Sequence, residues 1–180
     1  LYSELMRAAL GDDLLFRPLA FDWPEDRMAR GMEDQVMLGE GCMIAPVYTP
    51  NATGRSVYLP EDMLMVRFRS ARDFDLLPLR AGHHWVELSL REFPLFIRRG
   101  CLVPLAEEAE WSEAVDASRL RLLGWLKEGE GSLTLYEDDG LTPSPALAEH
   151  LSALRVRREG DQLRAEGGDG RELDLRGVVA

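Results

Sequence analysis

The sequence predicts a mainly β chain, with a short α/β edge followed by two consecutive antiparallel β-sandwich domains. Three observations carry that prediction. Short apolar runs recur between turn signals at the spacing that sandwiches and barrels produce. The run "HHWVELSL" alternates, so His84, Val86, Leu88 and Leu90 would share one face, and Trp85, Glu87, Ser89 and Arg91 the other. An acidic connector, "AEEAEWSEAVDAS" at residues 106–118, separates two sets of such runs and marks a candidate domain boundary.

Taken in chain order, residues 2–10 predict a helix, because Leu5, Met6 and Ala9 share a face and Gly11 follows as a stop. The run "LLFRPLAF", residues 14–21, is apolar almost throughout and predicts a strand covered on both faces, as in a parallel sheet. Residues 33–38 in "MEDQVML" form a short acidic amphipathic run that predicts a helix, broken by Gly39 and Gly41 before the apolar run "CMIAPV". Helix, buried strand and helix together make about one βα unit.

From Cys42 onward the runs are strand-like: "CMIAPV", "SVYLP", "LMVRFRS", "FDLLPL", "HWVELSL", "LFIRRG" and "CLVPL". Beyond the connector come "LRLLGWL", "LTLYEDDG", the Pro-containing link "LTPSPALAEH", then "LSALRVRRE", "DQLRAEG" and "ELDLRGVV". Two hairpins are expected, one across Gly160-Asp161 and one across "GGDG", since Gly and Asp supply the positive φ that such turns demand.

At 180 residues the chain can bury one or two cores, and its 46% hydrophobic content is ordinary for a globular protein. A formal charge of −11 argues against a nucleic-acid partner, because phosphate binding needs clustered Lys and Arg. A neutral or cationic ligand is easier to accommodate. No apolar run is long enough to span a bilayer, and "LYSELMRAAL" lacks the basic start of a secretory leader, so no membrane partner is expected. Leu1 in place of Met suggests a cut or processed end. Cys42 and Cys101 each sit in an apolar run without metal-ligand spacing, which favours buried thiols and a cytoplasmic location.

Few residues invite chemistry. Asp22 and Trp23 in "DWPEDR" follow the run at 14–21 and would lie at the carboxyl end of that strand, which makes them weak substrate-side candidates. His83 and His84 are adjacent on a strand and point to opposite faces, so they cannot share an ion there. "YEDDG" at residues 136–140 fails the calcium-loop pattern and reads as an acidic turn. Trp23, Trp85, Trp111 and Trp125 could stack on sugar rings in a free-standing carbohydrate-binding sandwich, although Trp85 and Trp125 fall within strand patterns and suit packing better. Neither a metal nor a cofactor motif occurs.

The succession "LLFRPLAFDWPED", "MEDQVMLGEGCMIAPVYTPNATGRSVYLP", "FPLFIRRGCLVPL" and "LYEDDG" resembles the C-terminal portion of glycoside hydrolase family 31, the α-glucosidase and α-xylosidase family, bacterial α-glucosidases above all. The resemblance covers residues 1–140 most clearly. Residues 61–70, "EDMLMVRFRS", depart from the tryptophan-tyrosine-aspartate segment of many members.

The resemblance implies that residues 1–42 are the last βα unit of a (β/α)8 catalytic barrel, residues 43–108 a proximal β-sandwich and residues 109–180 a distal one. It also implies a retaining mechanism in which two carboxylates flank the scissile bond. Both carboxylates are expected upstream of Leu1, so no catalytic residue is assigned and the segment alone is expected to be inactive. The partners implied are the upstream barrel of the same polypeptide and a neutral oligosaccharide. Homo-oligomerisation is compatible with the apolar run at 14–21.

Overall fold

Period-2 patterning becomes hydrogen-bonded ladders almost run for run. The computed structural model describes residues 1–107, 109–111, 114–139, 141, 149–168 and 170–180. These residues divide into two compact units, one of residues 16–99 and one of residues 1–15 with 100–180. Those limits do not coincide with the expected divisions at 42/43 and 108/109.

The first unit holds strands β1 (Phe16–Pro18), β2 (Val36–Leu38), β3 (Cys42–Ile44), β4 (Gly54–Leu59), β5 (Met63–Phe68), β6 (Phe74–Leu79), β7 (Gly82–Glu87) and β8 (Phe93–Arg98), with two helical turns, α2 (Leu19–Asp22) and α3 (Arg27–Arg30). Its main sheet runs β1-β2-β3-β8-β5-β6, antiparallel throughout, and β4 pairs with β7 in a separate ribbon. The two layers close over one core. Met37, Met43, Met63, Met65 and Phe96 of the sheet meet Val57 and Leu59 of β4 and Val86 and Leu88 of β7, with Leu19 and Ala29 from the helical turns.

The second unit begins with helix α1 (Tyr2–Leu10), as expected, and continues in β9 (Leu102–Ala106), β10 (Arg119–Trp125), β11 (Glu130–Tyr136), β12 (Leu151–Glu159), β13 (Gln162–Gly167) and β14 (Glu172–Val179). Two three-stranded sheets, β14-β10-β9 and β11-β12-β13, enclose a core in which Leu102, Leu120, Leu122, Leu126 and Val178 face Leu135, Leu154 and Val156. Helix α1 lies along β11. Ser3 Oγ accepts a hydrogen bond from the Tyr136 backbone N–H at 3.0 Å, and the Tyr2 and Tyr136 rings meet edge to face.

Several local expectations are corrected. The run at 14–21 is not a buried strand. Only residues 16–18 are extended, they pair antiparallel with β2, and Phe16 is 53% exposed. Pro18 supplies no N–H to extend the ladder and is followed directly by the α2 turn, which brings Asp22 back beside Arg17.

Residues 33–38 do not form a helix. Val36, Met37 and Leu38 are strand β2, joined to β3 through residues 39–41, where Gly39 takes φ 60°. Six residues are too few to hold a helix by themselves, and the hairpin buries Met37 fully.

The hairpin across Gly160-Asp161 forms between β12 and β13. The one across "GGDG" does not: β13 and β14 are edges of different sheets, and β14 runs parallel to β10. Residue 169 of that turn, and residues 142–148 of the Pro-containing link, lie outside the described residues.

Leu90 lies past the end of β7 and is fully exposed rather than sharing the inward face of Val86 and Leu88. Both cysteines are half-buried thiols. No helix among the described residues is long and apolar enough to cross a membrane.

Candidate functional site

Asp22 closes α2, and Trp23 follows it as the chain leaves the helical turn. The Asp22 carboxylate accepts two hydrogen bonds from Arg17 of β1, each at 3.1 Å, and a third from Arg98 of β8 at 3.2 Å. Arg98 also pairs with Glu61 at 2.8 Å and lies over the Trp23 ring, 4.7 Å from its centroid. Arg17 in turn donates to the Gly39 carbonyl at 3.1 Å, tying β1 to the β2–β3 turn.

The structure therefore brings Asp22 and Trp23 together around one guanidinium. With 13% of its side chain exposed and both oxygens engaged, Asp22 is built to hold β1, α2 and β8 in place. An indole with a guanidinium over one face has only the other for a ligand.

A second polar cluster adjoins this one in sequence. Asp26 caps α3, accepting from the backbone N–H groups of Met28 at 2.8 Å and Ala29 at 3.2 Å, and receives the Tyr58 hydroxyl at 2.6 Å. The Tyr58 bond, reinforced by the two backbone N–H groups, holds the Asp26 carboxyl below the usual carboxylate range. The same bond, with burial, raises the Tyr58 phenol.

Gln35, 1% exposed, completes the arrangement. Its amide donates to the Tyr58 carbonyl at 2.7 Å and accepts from the Tyr58 N–H at 2.8 Å, serving β4 as a neighbouring strand would. The only sequence signal for it was a polar amide beside an apolar run. Its partner, 23 residues away, could not be read from spacing.

The remaining candidates fall elsewhere. His83 packs on Tyr58 with ring centroids 4.9 Å apart, while the His84 Nε2 lies 2.7 Å from the Arg80 carbonyl oxygen. Asp138 receives the hydroxyls of Tyr2 at 2.9 Å and Tyr136 at 3.0 Å, and the Tyr136 phenol, buried and beside that carboxylate, is pushed up to about 12. Among the described residues, no group of three or more His, Cys, Asp or Glu is placed to hold a metal.

Trp85 is not packing material: it stands 69% exposed on the outward face of β7. Trp111 is also exposed and Trp125 is half-buried. A groove of about 600 Å³ lies between residues 44–52 and 88–94, lined by Ile44, Pro46, Tyr48, Leu88 and Phe93 among others.

The first unit is a sheet-and-ribbon sandwich with an ion-paired knot where a strand passes into a short helix, and the second is built of two three-stranded sheets. The description "Glycosyl hydrolase family 31 C-terminal domain" matches residues 12–103, and the chain belongs to glycosyl hydrolase family 31.

It is 28% identical over 138 residues to Alpha-glucosidase 2 of Bacillus thermoamyloliquefaciens, covering 76% of this chain and 17% of that protein. It is 31% identical over 133 residues to Alpha-xylosidase of Saccharolobus solfataricus, covering 71% of this chain and 17% of that protein. The family 31 α-xylosidase of Xanthomonas citri matches at a TM-score of 0.69 and 25% identity, over 96% of this chain and 18% of that one. The glucosidase II alpha subunit shares the fold at a TM-score of 0.71 and 18% identity, over 99% of this chain and 20% of that one. The chain thus spans about a sixth of the length of these curated relatives.

Proposed function

We propose that this chain is the C-terminal region of a retaining α-glucosidase that removes α-linked glucose from neutral oligosaccharides. The observation that carries this reading is the match of residues 12–103 to the family's C-terminal domain, supported by relatives named as α-glucosidases from a bacterium and from Hordeum vulgare. In such an enzyme one carboxylate attacks the anomeric carbon while a second protonates the leaving oxygen and then activates water.

We place both carboxylates in the part of the polypeptide that this chain does not span. The chain's own task is mechanical: its two β units, residues 16–99 and residues 1–15 with 100–180, buttress the catalytic barrel. Asp22 and Trp23 act on the substrate side by positioning. The Arg17–Asp22–Arg98 knot holds the segment after α2, and the Trp23 indole lies against Arg98. A cytoplasmic location suits the two thiols.

The test is to express the complete reading frame that contains this chain and assay it on p-nitrophenyl α-glucoside, maltose and isomaltose, following the released anomer by NMR. Release of α-glucose with retention supports the reading. Activity confined to α-xylosides would replace glucose by xylose, and hydrolysis by the 180-residue chain alone would overturn the placement of the carboxylates.

A further inference from the structure

We propose that the outward face of the β4–β7 ribbon is a carbohydrate-binding platform, on which the Trp85 indole stacks against a pyranose ring of a neutral α-linked glucan. The two strands pair from Gly54↔Glu87 to Leu59↔Gly82. Val57, Leu59 and Val86 point into the core, so Ser56, His83, Trp85 and Glu87 stand on the opposite face, and Tyr58, partly buried, packs against the core at its edge.

Gly54 sets the posture of the indole. A Cβ at that position would come within 3.2 Å of the Trp85 Cε2 and 3.0 Å of the Glu87 Cα, and would collide with the Val86 carbonyl oxygen. Because Gly54 has no side chain, the Cε2 edge of the indole approaches the β4 backbone, and the residue remains 69% exposed. Farther along the ribbon, His83 packs on Tyr58, and Tyr58 is tethered through its hydroxyl to Asp26 at 2.6 Å. The Tyr58 and His83 rings are thus held before any ligand arrives, which lowers their share of the ordering cost of binding. Ser56 and Glu87 flank Trp85 and offer a hydroxyl and a carboxylate to sugar hydroxyls.

The size and charge of the face select the ligand. A stable dimer needs roughly 800 Å² per partner, whereas a whole aromatic side chain buries only about 150–250 Å². One exposed indole beside a partly covered ring pair falls short of that. Glu87 and the net charge of −11 disfavour an anion. An uncharged ring with apolar C–H faces and a hydroxyl rim matches what remains. The α-linkage rests on the α-glucosidase reading above; the platform itself does not.

Isothermal titration calorimetry of the full chain with maltotetraose, isomaltotetraose and cellotetraose tests this, using wild type, Trp85→Ala and Trp111→Ala. The expected result is saturable binding of an α-linked tetraose that Trp85→Ala weakens at least tenfold and Trp111→Ala leaves unchanged. Circular dichroism should be identical for all three proteins, because both side chains are exposed. Equal affinity in Trp85→Ala, or no heat with any tetraose, overturns the platform. Binding of cellotetraose alone overturns the α-linkage, while the hydrolysis assay tests the enzyme reading separately. A dimer in sedimentation that Trp85→Ala abolishes would assign the face to a second copy and sink the proposal.

Discussion

The two units solve the same packing problem with different side chains. The core of residues 16–99 is rich in methionine, with Met37, Met43, Met63 and Met65 around Phe96, and it admits one buried amide, Gln35. The core shared by β9–β14 is almost purely leucine and valine, and its strands approach so closely that glycine is required. A Cβ at Gly177 would lie 2.5 Å from the Leu122 carbonyl oxygen, where the β10–β14 register shifts.

Methionine adapts its shape to a layer built from a sheet, a ribbon and two helical turns, whereas leucine in preferred rotamers interlocks between two regular sheets. The first core tolerates irregular elements. The second is the more specified by shape.

That contrast can be broken from the leucine side first. Leu122→Ala removes a fully buried side chain and should cost about 2–5 kcal/mol. Hydrogen exchange should then rise in peptides from β10, β11 and β12 and far less in those from β5 and β8. Uniform acceleration across both units would show that they unfold as one.

Next in size is Gln35→Leu, which fills similar space but leaves the Tyr58 N–H and carbonyl without their strand-like partner. A loss of about 1–3 kcal/mol is expected by urea denaturation, with exchange rising in β4. A neutral result would make the buried amide dispensable. Met43→Leu, a near volume-conserving change, should cost less than about 1.5 kcal/mol, and a larger loss would show the methionine core to be as shape-specified as the leucine core.

The smallest effect depends on pH. The Asp26 carboxyl titrates below its ordinary value of 3.8, so its bond to Tyr58 stabilises the folded state fully above that value and is lost as pH falls through the lowered one. The Tyr58 phenol titrates above its ordinary 10.0, so its share is present below that value and is lost as pH rises through the raised one. Tyr58→Phe should cost about 1 kcal/mol at pH 7. The difference from wild type should shrink toward pH 3 in chemical denaturation, and a constant difference between pH 7 and pH 3 would show that the bond does not carry the effect.

Local patterning was enough for helix α1, for strands β4–β14 to within a few residues, and for the β12–β13 turn. Helical spacing specifies α1, apolar runs between turn signals specify the strands, and Gly-Asp chemistry specifies the turn, each within a few neighbouring residues. Of the candidate site, Asp22 and Trp23 were visible as an acidic and aromatic pair after an apolar run. The guanidinium of Arg98, which engages both, was not, because it lies 76 residues from Asp22.

Tertiary structure alone decided that residues 16–18 form an antiparallel edge rather than a buried strand, that residues 36–38 extend instead of coiling, that β14 joins β10 in parallel, and that Trp85 faces solvent. Each depends on a partner distant in the chain: Met37 on the sandwich core, Gln35 on Tyr58, Gly177 on Leu122, Trp85 on Gly54. A short apolar run carries its hydrophobicity in its own residues. Which face is covered, and whether the run coils or extends, is set by the surface that reaches it.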